Sequence, residues 1–174
     1  MGNYSKLLFY DTGNSHGLST TIWLSGCSIH CDCCFNKEIW NYSAGKPVTG
    51  ETIDTIVKSL TNTPVHRLVI LGGEPLDINN SGTTGFICQS VKRKTNFKAE
   101  IIVYTGYTIE SIFDSIPYVY RYVDRIIDGP YRKDLPVDGL DLRGSTNQRC
   151  FQILYNKEKM CYNYIEDKDY FKKG

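Results

Sequence analysis

Apolar and polar positions alternate between two rhythms along this chain. Residues 20–27 (TTIWLSGC) form a β-branched and aromatic run that ends at a Ser-Gly turn, which reads as a strand. Residues 66–75 (HRLVILGGEP), 99–106 (AEIIVYTG) and 123–130 (VDRIIDGP) are short, continuously apolar runs. Each is stopped by glycine and followed by polar residues. Residues 149–155 (RCFQILY) read as a further strand. Between these runs the spacing turns helical. In residues 49–62 (TGETIDTIVKSLTN), Ile53, Ile56, Val57 and Leu60 share one stripe and Thr49 is placed to cap the helix. Residues 85–96 (GFICQSVKRKTN) and 108–116 (TIESIFDSI) also read as helices.

Strands alternating with helices imply an α/β fold, a parallel sheet with crossover helices. Continuously apolar strands suit a sheet covered on both faces. In such sheets and barrels ligands sit at the C-terminal strand ends. Residues 27–34, 72–74, 105–106 and 128 are therefore expected to rim one mouth. A complete eight-fold barrel takes about 250 residues, and this chain has 174, so the expectation is a partial, open (βα) barrel over residues 1–155. Residues 156–174, mixing both charges with tyrosines, read as a tail or a small extra element.

Composition narrows the classes. Hydrophobic residues make up 41% and charged residues 22%, ordinary for a soluble domain. A net charge of +1 gives no electrostatic case for nucleic acid or an anionic membrane. No apolar run reaches the length of a membrane span, and the first residues lack the apolar core of a signal peptide. The reading is a cytoplasmic chain, where thiols stay reduced, and seven cysteines do not make a closed disulfide framework.

Four of those cysteines crowd into residues 25–40 (SGCSIHCDCCFNKEIW). Cys27, Cys31 and Cys34 stand at C-x3-C-x2-C, and Cys33 is the extra. Structural zinc takes four ligands, usually from two separated pairs. A single loop with adjacent cysteines closes awkwardly on one small ion. A cubane iron–sulfur cluster is larger, and one loop can wrap three of its irons. Three protein ligands then leave an open iron, which marks a reactive centre. A non-catalytic zinc module that binds a partner is the rival reading.

The C-x3-C-x2-C loop after a strand resembles the signature of the radical S-adenosylmethionine (SAM) enzymes. Residues 71–75 (LGGEP) resemble that superfamily's second motif. The cysteine loop, "DGPY" at 128–131 and "RGSTNQR" at 143–149 are similar to blocks of the anaerobic ribonucleotide reductase activating family. That resemblance implies a 4Fe–4S cluster on Cys27, Cys31 and Cys34, with SAM on its open iron through the amino nitrogen and carboxylate. Reductive cleavage of SAM would give a 5′-deoxyadenosyl radical, which takes a hydrogen from one glycine of an anaerobic ribonucleotide reductase. A flavodoxin or ferredoxin is the implied electron donor. Other small radical SAM enzymes, the pyruvate formate-lyase activator and deazaguanine-type synthases, share the first two motifs.

The resemblance also implies roles. Cys33, in a slot often aromatic or Gly, is a cofactor contact rather than a fourth ligand, because a fourth would close the iron. Phe35 is placed to touch adenine. Gly72 and Gly73 let backbone approach a ligand closely, and Glu74 is placed to pair with the SAM ammonium by a charge-assisted bond. Thr105 is expected to line the adenosine site and Asp128 to hold ribose hydroxyls. Arg143, Asn147 and Arg149 are expected to dock the partner or bind the SAM carboxylate. Asn36 reads as a helix cap and Trp40 as core. His30 is the one histidine in the cysteine loop. Cys88, Cys150 and Cys161 read as small apolar residues.

Overall fold

The apolar runs pair into one sheet. The computed structural model describes residues 1–32, 34–137 and 142–172. Its strands are β1 (Asn3–Asp11), β2 (Ser19–Leu24), β3 (Lys46–Pro47), β4 (Arg67–Gly72), β5 (Glu100–Tyr104), β6 (Arg125–Asp128), β7 (Arg149–Asn156) and β8 (Cys161–Glu166). They lie in the order β3-β1-β2-β4-β5-β6-β7-β8, so the sheet is open, with β3 and β8 at its edges. The central strands β2, β4, β5 and β6 are parallel. β1 and β3 extend one side antiparallel, and β7 and β8 the other.

Two features depart from the sequence pattern. β1 carries mostly half-buried or exposed positions and so has no continuous apolar signal, yet it pairs along β2. β7 runs antiparallel to β6, against the expected parallel sheet. A parallel strand needs a crossover of a dozen or more residues, usually helical. The connection from β6 to β7 contains no helix among its described residues.

Helices cover one face. In α1 (Gly50–Thr61) the Thr49 side chain accepts from Thr52 N at 3.3 Å, and Thr49 N donates to Thr52 Oγ1 at 3.1 Å, a reciprocal cap. Ile53, Ile56 and Leu60 are buried beneath it. α2 (Ser81–Lys94) begins earlier than its apolar pattern. The helix expected over 108–116 is shorter, α3 (Ile109–Ile112), and a second short helix, α4 (Pro117–Tyr120), follows it. Pro117 excludes Ile116 from helical backbone, which stands at φ −133° and ψ 51°.

Along β4 the faces alternate. Leu68 and Ile70 join the large core under the helices. Val69 and Leu71 face the other side with Ile102, Ile127 and Cys150. The apolar runs are continuous because both faces are covered. The cover on the second face comes from Leu142 and from a 3-10 turn, Tyr170–Lys172, that follows β8. No helix among the described residues is long and apolar enough to cross a membrane.

Candidate functional site

The cysteine loop starts where β2 ends and is fixed at its base. Gly26 N donates to Ile39 O at 2.7 Å and Cys27 N to Trp40 O at 3.1 Å, so the two ends of the loop meet. The end of β4 is laced to the same point. Gly73 N donates to Leu24 O and Glu74 N to Gly26 O, each at 2.8 Å. The two glycines are required by this approach. Gly72 sits at φ +128°, where a Cβ would lie 2.4 Å from Leu24 O, and a Cβ on Gly73 would lie 2.1 Å from Gly26 O. Their close neighbour is thus the backbone of β2 and the turn leading to Cys27, and both glycines also line the cavity beside it.

One residue that the sequence reading missed ties this junction together. Asn80 Nδ2 lies 3.0 Å from the carbonyl oxygens of Ser25, Gly26 and Glu74. Asp77 accepts from Ser28 Oγ beside it. Asn and Asp before a helix signal only a local cap or turn, so nothing in the sequence reveals their long-range partners.

A cavity of about 390 Å³ opens here, at the C-terminal ends of the parallel strands. Cys27, Cys31 and Cys34 line it, together with Phe35, Gly72, Gly73, Glu74, Thr105 and Arg143. Cys33 lies outside the described residues. Burial pushes the Cys27 and Cys31 thiols above the ordinary thiol range, so a metal taking them as thiolates displaces protons. Among the described residues, no three Cys, His, Asp or Glu side chains converge as ligands of one metal ion. The donor set, three thiols spread along one loop around a shared cavity, fits a group with several irons.

Glu74 is 1% exposed. Its carboxylate accepts from Leu76 N at 2.9 Å, Thr105 Oγ1 at 2.6 Å and Gly106 N at 2.6 Å. Burial raises its pKa to about 7, and these three bonds only partly oppose that. Thr105 thus both lines the cavity and holds Glu74. Phe35 stands at the rim, 81% exposed, its ring 5.7 Å from that of Tyr131.

Three candidates lie elsewhere. Asp128 is fully buried and is not among the cavity-lining residues. Its carboxylate accepts from Ile109 N at 2.8 Å, at the start of α3, and from Arg149 Nη2 at 2.6 Å. Arg149 in turn holds Glu110 at 2.9 and 2.8 Å. This is the bland arrangement of a helix end and an ion pair, and the residues are committed to each other. Asn147 Nδ2 donates to Pro130 O at 2.9 Å, away from the cavity. Of the three polar candidates in "RGSTNQR", Arg143 alone lines it. Asn36 makes no side-chain cap bond and Trp40 is not simple core, since both line the cavity. Trp40 stacks on His30 at 4.3 Å. Cys88 and Cys150 are buried, whereas Cys161 is exposed.

The fold and site define a class. Residues 13–151 match the model of a family described as a 4Fe-4S single cluster domain, so the cavity belongs to an iron–sulfur protein. Full-length relatives are more particular. The anaerobic ribonucleoside-triphosphate reductase-activating protein of Vibrio cholerae is 33% identical over 148 residues, 84% of this chain and 95% of that one. The proteins of the same name from Salmonella typhi and Escherichia coli are 32% and 30% identical, covering 95% and 96% of their own lengths. This chain belongs to the family of anaerobic ribonucleoside-triphosphate reductase-activating proteins.

Proposed function

We propose that this chain is a radical SAM activase that installs a glycyl radical on an anaerobic ribonucleotide reductase. We take its open sheet as the partial (βα) barrel of that superfamily. The observation that carries the reading is the meeting of Cys27, Cys31 and Cys34 with Gly72, Gly73 and Glu74 around one cavity at the C-terminal strand ends. Cys27, Cys31 and Cys34 hold a 4Fe–4S cluster, and Cys33 is left out of its ligand set. When bound, the cluster and SAM supply the reductive bond cleavage and the hydrogen-abstracting radical chemistry.

The protein's own residues bind and orient. Glu74, held by Thr105 Oγ1 and Gly106 N, presents a buried carboxylate to the amino group of SAM. Arg143 presents a cation to its carboxylate, and Phe35 at the rim and Cys33 serve as adenine contacts. Asp128 and Arg149 act through the fold, by anchoring the start of α3 to β7. Phe35 and Tyr131 form an apolar rim that a partner surface covers, excluding water from the reacting atoms. The setting is the cytoplasm, where free thiols stay reduced, and a flavodoxin or ferredoxin supplies the electron.

The test mixes the reduced, cluster-loaded protein with SAM and an anaerobic ribonucleotide reductase without oxygen and records electron paramagnetic resonance. A glycyl radical on the reductase is expected. A silent reductase, with the radical appearing on pyruvate formate-lyase, would move the chain to the other activator class.

A further inference from the structure

A donor without an acceptor stands beside the three cysteines. Trp40 lines the cavity with Cys27, Cys31 and Cys34. Its backbone is tied to the loop, since Cys27 N donates to Trp40 O at 3.1 Å. Its ring is held from the loop as well. His30, between Cys27 and Cys31 in the chain, stacks on it at 4.3 Å with 24° between the planes. Lys37 Nζ lies 5.7 Å from the centre of the same ring. Yet the indole Nε1 is buried and has no hydrogen-bond partner. An indole nitrogen can only donate, and a buried N–H left unpaired costs about 1–3 kcal/mol. A buried tryptophan usually satisfies its N–H, so an orphan in the wall of a site calls for an explanation in that site.

Sulfur is the acceptor that this loop supplies. Asn36 N donates to Cys34 Sγ at 3.4 Å. Burial pushes the Cys27 and Cys31 thiols up, and backbone N–H groups oppose it: those of His30 and Ile29 at Cys27, and that of Tyr131 at Cys31. Backbone donors thus already serve all three sulfurs. An iron–sulfur cluster on these cysteines adds sulfides of its own, and its negative charge makes a bond from an N–H charge-assisted.

We infer that the Trp40 indole N–H donates to a sulfur of the 4Fe–4S cluster and raises the cluster's reduction potential. This rests on the reading of Cys27, Cys31 and Cys34 as the cluster's ligands. The sign follows from charge. Reduction adds one electron, from the donor protein in the cell or from dithionite in the test, and the sulfurs become stronger acceptors. A donor therefore stabilises the reduced form more than the oxidised form.

The experiment titrates the full-length, cluster-loaded protein with dithionite and mediators without oxygen and follows the reduced cluster by electron paramagnetic resonance. Trp40→Phe keeps an aromatic ring for His30 and the backbone bond to Cys27, and removes the N–H. At a fixed potential it is expected to lower the ratio of reduced to oxidised cluster about three- to ten-fold, the worth of one hydrogen bond. The upper end is a midpoint about 59 mV more negative. A purely structural role would move it the other way, because a smaller ring admits water, which favours the more negative, reduced cluster. A midpoint that is unchanged or less negative overturns the inference. A second measurement needs no Trp40 variant. With a magnetic isotope of nitrogen in the indoles of both tryptophans, double resonance on the reduced wild-type cluster is expected to show a coupling to that nitrogen. The coupling is expected to persist in Trp23→Phe, which removes the other tryptophan lining the cavity. Its absence from wild type, or its loss in Trp23→Phe, overturns the inference. Wild-type protein that takes up no iron and sulfide would instead sink the parent reading of the three cysteines, and this inference with it.

Discussion

Replacing Glu74 by Gln tests the electrostatics of the site without any cofactor. The ordinary carboxyl value is 4.5, and burial lifts that of Glu74 to about 7. At 1.36 kcal/mol per pH unit, such a lift is worth about 3 kcal/mol in favour of the protonated form. Because the folded-state pKa is the higher one, the native chain holds more protons than the unfolded chain between the two values. Stability from this group is complete below 4.5 and is lost as pH rises through about 7. Gln cannot titrate. One end of its amide turns an N–H toward a donor, Gly106 N or Thr105 Oγ1, a cost that does not change with pH. The difference between wild type and Glu74→Gln therefore isolates the carboxyl. In urea unfolding of the cluster-free protein, wild type is expected to lose about 2 kcal/mol relative to Glu74→Gln between about pH 5 and about pH 7.5. A difference that stays flat across that range would refute the assignment of a raised pKa. On the loaded protein the same substitution is expected to keep iron content and weaken SAM binding about ten- to a hundred-fold, the worth of a charge-assisted bond.

Changing Cys27, Cys31 or Cys34 to Ala is expected to abolish the iron and sulfide of the reconstituted protein, while Cys33→Ala retains both; equal loss in Cys33→Ala and Cys34→Ala would overturn the ligand assignment. Gly73→Ala places a Cβ against the Gly26 carbonyl, 2.1 Å away, and disturbs the two bonds that join β4 to the cysteine loop. It is expected to cost about 2–4 kcal/mol in urea unfolding and to lower iron content, since Cys27 follows Gly26 directly. Arg149→Ala leaves the fully buried Asp128 without its cation. It is expected to cost about 3 kcal/mol, the low end for a broken buried pair because Arg149 is partly exposed, with SAM affinity in the loaded protein unchanged. Arg149→Lys is expected to recover little, as one ammonium cannot serve both Asp128 and Glu110 in the forked geometry seen here.

The parts of the site that were legible are those whose information is local. A cysteine spacing belongs to one loop, and a strand that stops at Gly-Gly-Glu announces its own end. The strand runs stood out because both sheet faces are covered, which makes them apolar throughout. Family resemblance on the same residues pointed to the reductase-activating proteins, and the relatives bear that out.

Tertiary structure decided the rest, because the partners are far apart in the chain. Asp128 and Arg149 sit in polar blocks that look equally suited to a ligand, and only the antiparallel pairing of β6 and β7 sets them side by side. That pairing could not be read from apolar runs, which carry no direction; it goes with a connection that contains no helix among its described residues. Trp40 looked like core, but hydrogen bonds at the loop base bring it round to the cavity. Asn80 resembles a helix cap, yet it spends its amide on three carbonyls gathered from two strand ends. The tail has no motif at all, and its place under Arg143 follows from an ion pair and a buried tyrosine that appear only when the sheet has formed. Sequence alone nominated residues suited to chemistry and marked where strands stop, since those depend on residue type and near neighbours. Which of them share a cavity was settled by long-range pairing, whose partners no local pattern names.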